Sequence, residues 1–183
     1  IRLFLSVVIT VLLFACSGES EKLNSHSKIP LTTESESALS EYHQGYSLEN
    51  KLQRVKAAEH FQKAVDLDPA FAMAWLNLAY VSPGTELFLA ALDSAIYYAP
   101  NATKGEQLLI LAAQHGMRGD KQKQFDAILE LTALYPGDPL AYYTLGTYYF
   151  ALQQYREAIV AYSNALLADK EMAILYNQLG YSQ

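Results

Sequence analysis

A repeat of about 34 residues is the feature that most constrains the fold of this chain. Small residues recur in phase, and the steps between them are 34, 33, 34 and 34 residues, at Gly45, Ala79, Ala112, Gly146 and Gly180. The last four are each preceded by leucine, and a bulky residue lies four positions before each of them. Such a unit is long enough for two helices but too small to bury its own apolar face, so the units must stack. The spacing therefore predicts a solenoid of stacked units.

The unit is clearest between Pro139 and Lys170. It reads Tyr142-x-x-Leu145-Gly146-x-x-Tyr149 and then Ala158-x-x-x-Tyr162. This pattern resembles the tetratricopeptide repeat family, with tyrosine in the places of tryptophan and phenylalanine. The resemblance runs from about residue 34 to the end of the chain. It implies an all-α solenoid, a superhelix of antiparallel helix pairs with about four repeats and the start of a fifth.

Two short motifs predict where helices begin. Thr33 and Glu36, and likewise Thr103 and Glu106, have the spacing of a capping box, in which a hydroxyl and a carboxylate satisfy free backbone amides. We therefore expect the first helix to begin at Thr33 and the third repeat to open after Thr103. The run Ser82-Pro83-Gly84-Thr85 predicts a break between the helices of the second repeat.

The chain opens on an apolar run, residues 3–15, that is too short to span a membrane. It fits the apolar region of a signal peptide. The run ends in Leu13-Phe14-Ala15-Cys16, which resembles the bacterial lipobox. That resemblance implies cleavage before Cys16 and a diacylglycerol group on its sulfur, so residues 1–15 would be a lipoprotein signal peptide. A buried cysteine beside an ordinary signal peptide is the alternative.

Residues 16–33 are rich in Ser, Glu, Lys and Thr, and we expect them to form the lipidated cysteine and a flexible tether. The repeat domain then covers residues 34–183, and the pattern stops within its fifth repeat, as in a chain truncated at its C-terminus. The lipobox resemblance implies the bacterial cell envelope and a membrane contact through Cys16. Ser17, in place of aspartate, favours the outer membrane, facing the periplasm or the cell surface.

No catalytic, metal-binding or cofactor motif accompanies the repeats. The four histidines do not form H-E-x-x-H, and the chain has no G-x-S-x-G and no glycine-rich phosphate loop. We therefore predict no enzymatic activity, no metal, no cofactor and no small-molecule substrate. The formal net charge of −6 argues against nucleic acid as a partner.

In the tetratricopeptide family the first helix of each pair lines a concave groove. The resemblance assigns to that groove a tyrosine-rich, apolar set with almost no charge: Leu39, Tyr42, Tyr46, Met73, Leu76, Tyr80, Leu109, Ala113, Leu140, Tyr143, Thr147, Phe150, Ile174, Asn177 and Tyr181. We expect some of these residues to be buried between repeats and the others to bind a peptide or partner protein. Family members that clamp acidic tails use lysine, asparagine and arginine in these places. Since only Asn177 belongs to that group, a carboxylate clamp is not expected.

These observations favour a protein-interaction scaffold or assembly factor, anchored by lipid in the cell envelope. The first alternative is an N-terminal docking or sensor module of a larger signalling protein or enzyme whose active domain lies beyond Gln183. A glycan-capturing lipoprotein is the second alternative. It is disfavoured because the single tryptophan, Trp75, occupies a packing position of its repeat.

Overall fold

A computed structural model describes residues 28–182 of the chain. Over this span the chain forms nine α-helices: α1 (Glu36–Asn50), α2 (Arg54–Leu67), α3 (Ala72–Val81), α4 (Thr85–Tyr98), α5 (Lys104–Arg118), α6 (Lys121–Leu134), α7 (Pro139–Ala151), α8 (Tyr155–Ala168) and α9 (Ala173–Ser182). A short 3-10 turn, Ala99–Asn101, follows α4. No helix of residues 28–182 is both long enough and apolar enough to cross a membrane.

The helices pack in consecutive antiparallel pairs, α1 with α2, α3 with α4, α5 with α6 and α7 with α8. Each pair also contacts the next, and α9 follows α8 as the first helix of a fifth unit. The predicted superhelix of tetratricopeptide type is thereby confirmed. The ends of the array also approach each other, because α1 contacts α9.

The phased glycines mark the closest approach of the two helices within a pair. A Cβ atom on Gly45 would lie 2.8 Å from the ring of Phe61 on α2, and one on Gly146 would overlap the ring of Tyr162 on α8. Both rings are fully buried. At Gly180, in the fifth unit, nothing lies within 4 Å of that position. The glycine is therefore required by packing only where an aromatic side chain of the second helix occupies the crossing.

The turns between paired helices share one geometry in three of the four repeats. Leu52, Gly119 and Gln153 have φ angles of 61°, 75° and 60°, in the left-handed region. In each turn the next residue donates a 2.9 Å backbone hydrogen bond to a carbonyl of the preceding helix. This arrangement ends the first helix and lets the second return antiparallel to it. The second repeat differs, and its helices separate at the predicted break, where Gly84 has φ 84°.

Residues 29–33 form an N-terminal strap that runs past the N-terminal ends of α3, α5 and α7. The amide of Ile29 donates to Asp138 Oδ2 at 2.8 Å, before α7. The amide of Thr32 donates to Glu106 Oε1 at 3.0 Å, in α5, and the Thr33 hydroxyl donates to Asp68 Oδ2 at 2.5 Å, before α3. The flexible tether predicted for residues 16–33 therefore does not include the strap. Residues 16–27, Cys16 among them, and the signal peptide predicted for residues 1–15 lie outside the described residues.

One of the two predicted capping boxes is confirmed, and the other is wrong. Thr103 and Glu106 cap α5 reciprocally, and the buried Glu106 carboxylate accepts from the Thr103 amide at 2.8 Å. At α1 the N-cap is Ser35, whose hydroxyl accepts from the Ala38 amide at 3.2 Å. The cap of α1 therefore lies two residues later than the Thr33 motif predicts. The reason is that the Thr33 hydroxyl instead donates to Asp68 of the neighbouring loop.

Candidate functional site

The first helices of the repeats enclose a cavity of about 430 Å³, which we call the central cavity. Its walls come from α1, α3, α5 and α7, with contributions from the starts of α2, α6 and α9. A volume of this size is within the range of ligand-binding pockets in proteins.

The floor of the central cavity is apolar. Met73, Leu76 and Leu109 are buried, and Leu140 is half-buried beside them. Met73, Leu76 and Tyr80 lie at the i, i+3, i+7 spacing that places side chains on one face of a helix. One face of α3 therefore supplies both floor and wall.

Four tyrosines from three repeats, Tyr46, Tyr80, Tyr143 and Tyr148, line the walls. Tyr80 exposes 45% of its surface, and yet burial raises the pKa of its hydroxyl above the ordinary value. Both observations hold for a side chain that water can reach but that protein surrounds, which is the situation inside a cavity. Burial, followed by the charge of Glu49, raises the pKa of Tyr143 to about 12.

Glu49, at the end of α1, is the acidic residue of the cavity lining. Burial raises the pKa of its carboxyl to about 7, and the nearby Arg54 guanidinium opposes the shift. Arg54 also lines the cavity and donates a hydrogen bond to the carbonyl oxygen of Tyr80. Within residues 28–182 the Glu49 carboxylate accepts no hydrogen bond and forms no ion pair within 4.0 Å. Glu49 is half-buried, so its carboxylate is without a partner among the described residues but is still reached by water.

Most of the predicted groove residues lie in the central cavity, and some do not. Those that line it are Tyr46, Met73, Leu76, Tyr80, Leu109, Ala113, Leu140, Tyr143, Thr147 and Ile174. Those that do not are Leu39, Tyr42, Phe150, Asn177 and Tyr181.

Packing explains why Tyr42 and Phe150 lie outside the cavity. Tyr42 is only 4% exposed, and its ring centroid lies 5.7 Å from that of Phe61 and 5.0 Å from that of Phe71. It is a core residue, so the prediction that it lines the groove is wrong. Phe150 packs edge-on to Tyr155, at 5.6 Å between centroids. Tyr181 is 69% exposed but lies in the last turn of α9, beyond the part of this helix that borders the cavity.

The prediction of an almost uncharged groove is also wrong, since Glu49, Arg54 and Lys121 belong to the lining. Glu49 and Asn50 come one helical turn after Tyr46, on the same face of α1. Extending the groove stripe by one turn in each first helix would have found them. It would also have found Gly116 in α5 and Ala151 in α7. Arg54 and Lys121, at the starts of the second helices, give no such signal.

The chain was compared with known proteins. No family model matches it. It is 30% identical to "Tetratricopeptide repeat protein 6" of Homo sapiens over 127 residues, which cover 69% of this chain and 24% of that protein. The match therefore spans about a quarter of the length of this curated relative.

The solved structures that are similar to the chain include two in which about a quarter of the matched residues are identical. One is the APC/C hetero-tetramer Cut9–Hcn1, with 25% identity and a TM-score of 0.47 over 79% of this chain and 29% of that one. The other is MamA, with 24% identity and a TM-score of 0.43 over 80% of this chain and 81% of that one.

Proposed function

We propose that this chain, which folds as a solenoid of tetratricopeptide type, is a non-catalytic scaffold that binds a segment of a partner protein in its central cavity. The observation that carries this proposal is the cavity itself, which four successive repeats build from an apolar floor and a tyrosine wall. Tyrosine offers a large, rigid contact area and a hydroxyl at little entropic cost, which suits it to protein recognition.

The size of the cavity defines what part of a partner it can hold. About 430 Å³ accommodates a few side chains but not a folded domain. The partner therefore contributes a short extended or helical segment, and its apolar side chains contact Met73, Leu76, Leu109 and Leu140.

We further propose that the scaffold acts at a bacterial membrane, through a lipid on Cys16. The support is the sequence Leu13-Phe14-Ala15-Cys16 at the end of an apolar run. Two or more acyl chains on one cysteine would hold the protein at the bilayer firmly, whereas a single chain binds only reversibly. In this position the scaffold would act in the assembly or organisation of envelope proteins.

Site-specific photocrosslinking tests the proposed binding site. A photoreactive phenylalanine analogue is placed at Thr147, an exposed residue of the cavity lining, and in a control at Val160, which is 62% exposed on α8 and is not part of that lining. After irradiation in an envelope extract, we expect a partner to crosslink through position 147 and not through position 160. The same partner crosslinked equally from both positions would overturn the proposal.

A pair of variants gives the second test. Tyr80→Ala combined with Tyr143→Ala should weaken capture of the crosslinked partner by at least about thirtyfold, because truncating even one aromatic anchor typically costs about 2 kcal/mol. Tyr97→Ala is the control, since Tyr97 is an exposed tyrosine of α4 outside the cavity. Circular dichroism must show that the variants keep their helices.

A further inference from the structure

We propose that the central cavity selects a partner segment with a basic side chain, lysine or arginine, flanked by apolar residues, and that Glu49 is the counter-ion of this side chain. The inference rests on the proposed function and specifies the chemistry of the partner.

The first argument is the unsatisfied carboxylate. A carboxylate that lines a cavity and has no partner in the protein keeps both of its oxygens available to accept hydrogen bonds from a ligand. Glu49 lines the cavity, and no described donor reaches its carboxylate. A ligand that brings N–H donors would supply the missing partner. A cationic donor would also replace the hydration that burial removes.

The second argument is the set of groups that surround Glu49. Its charge acts on the hydroxyls of Tyr46, Tyr80 and Tyr143, where it is one of the causes, after burial, that raise the pKa of each tyrosine. The three side chains come from α1, α3 and α7 and line the same cavity as the carboxylate. Aromatic rings at the walls of a site attract cations through their π-electron faces. A basic side chain among these rings would interact both with the Glu49 carboxylate and with the π-electron faces of the tyrosines.

The charged groups near the cavity are few and of both signs. Arg54, at the start of α2, donates a hydrogen bond to the carbonyl oxygen of Tyr80. Lys121, at the start of α6, is an exposed residue. Neither forms an ion pair with Glu49 within 4.0 Å. The protein as a whole carries a formal net charge of −6, which favours the approach of a basic segment.

The proposal has a consequence for the pH dependence of binding. Burial raises the pKa of Glu49 to about 7, so part of the protein carries a neutral Glu49 near neutral pH. A cationic ligand binds the ionised form, and binding therefore includes the loss of a proton when Glu49 is neutral. By linkage, affinity should rise about tenfold between about pH 6 and pH 8. A ligand that accepted a hydrogen bond from the neutral carboxyl would show the opposite slope.

The experiment uses three capped peptides of leucine, alanine and serine that differ only in a central lysine, glutamine or glutamate. Affinity for the purified protein is measured by calorimetry at about pH 6, 7 and 8, a range in which lysine stays charged. We expect the lysine peptide to bind most tightly at pH 8, with the tenfold rise, and the glutamine peptide to show no such rise. In Glu49→Gln the rise should disappear. Glu41 lies on the same helix but pairs with His60 and does not line the cavity, so Glu41→Gln should retain the rise in affinity.

The possible failures are distinguishable. A lysine peptide whose affinity is flat or falls with pH, tighter binding of the glutamate peptide, or no binding of any peptide overturns the charge selection. If lysine and glutamine peptides bind equally, and Tyr80→Ala with Tyr143→Ala abolishes both, the cavity binds peptides and only the charge selection is wrong. If peptides bind but the tyrosine variant has no effect on them, the proposed binding site is itself wrong.

Discussion

The backbone of Gly146 in α7 lies directly against the ring of Tyr162 in α8, so closely that a methyl group on Gly146 would overlap the ring carbons. Tyr162 is fully buried and Gly146 is at the crossing of the two helices. The pair sets the distance between the helices of the fourth repeat. Gly45 and Phe61 repeat the relationship in the first repeat.

The first prediction concerns this crossing. Gly146→Ala should lower the free energy of unfolding by about 1–3 kcal/mol, because the added methyl group overpacks the interface. Gly180→Ala is the matched control, since it is also a helical glycine and nothing lies within 4 Å of its added Cβ. There the substitution should raise stability by up to about 1 kcal/mol through helix propensity. Thermal and urea unfolding of both variants measure the difference, and equal effects would contradict the packing account.

The second prediction concerns Glu106. This buried carboxylate accepts hydrogen bonds from the amide of Thr103 and from the amide and hydroxyl of Thr32. Glu106→Ala should cost about 3 kcal/mol of unfolding free energy, because it leaves three half-buried donors without this charged partner. Glu130→Ala removes a carboxylate that pairs with Lys104 at 2.8 Å near the surface, and should cost about 0–1 kcal/mol. Urea unfolding compares the two, and a loss at Glu106 no larger than at Glu130 would contradict the prediction.

The third prediction concerns the left-handed turns. Gln153 has φ 60°, a conformation that is strained for a residue with a side chain. Gln153→Gly should stabilise the protein by up to about 1 kcal/mol, because the relief of strain exceeds the entropy lost by glycine. Gly119→Ala places a side chain at φ 75° without a steric contact and should destabilise by about 1 kcal/mol. Unfolding measurements that gave both changes the same sign would contradict this account.

The fourth prediction is a pH dependence of stability. Burial raises the pKa of Glu49 from 4.5 to about 7, so between these values the folded protein keeps a proton that the unfolded chain releases. The contribution of the Glu49 carboxyl to the free energy of unfolding is therefore fully present below about pH 4.5. It falls as the pH rises towards 7 and is constant above that pH. Relative to Glu49→Gln, the wild type should lose on the order of 1–3 kcal/mol of unfolding free energy between about pH 5 and pH 8. Parallel pH profiles of the two proteins would contradict the shift.

The fifth prediction concerns the lipid on Cys16. Expressed in a bacterium with labelled palmitate, the wild type should take up label and partition into the detergent phase, because acylation adds buried apolar chains. Cys16→Ser should do neither. Equal labelling of the two proteins would contradict the lipobox interpretation.

Much of the fold follows from local patterns in the sequence. The spacing of Gly45 and Gly146 predicted helix pairs, and each glycine contacts an aromatic residue of the partner helix. The site was predicted only in part. The spacing of residues along a helix shows which of them share a face, but it does not show how much of that face the neighbouring repeats surround. Tyr42 is on the predicted stripe, but contacts with Phe61 and Phe71 bury it in the core. Arg54 reaches the cavity from the start of a second helix, a position that the stripe does not include.

The N-terminal strap could not have been found in the same way. Ile29 and Asp138 are 109 residues apart, and no periodicity joins them. A repeat array ordinarily contains only contacts between neighbours, so its folding can start in any unit and spread to the next. The strap adds contacts between residues that are far apart in the sequence. Bringing those residues together costs loop-closure entropy, which must be overcome before the contacts form. During synthesis the Ile29 amide must wait for the loop before α7 to leave the ribosome. Residues at the start of the described part of the chain are therefore among the last to reach their native contacts.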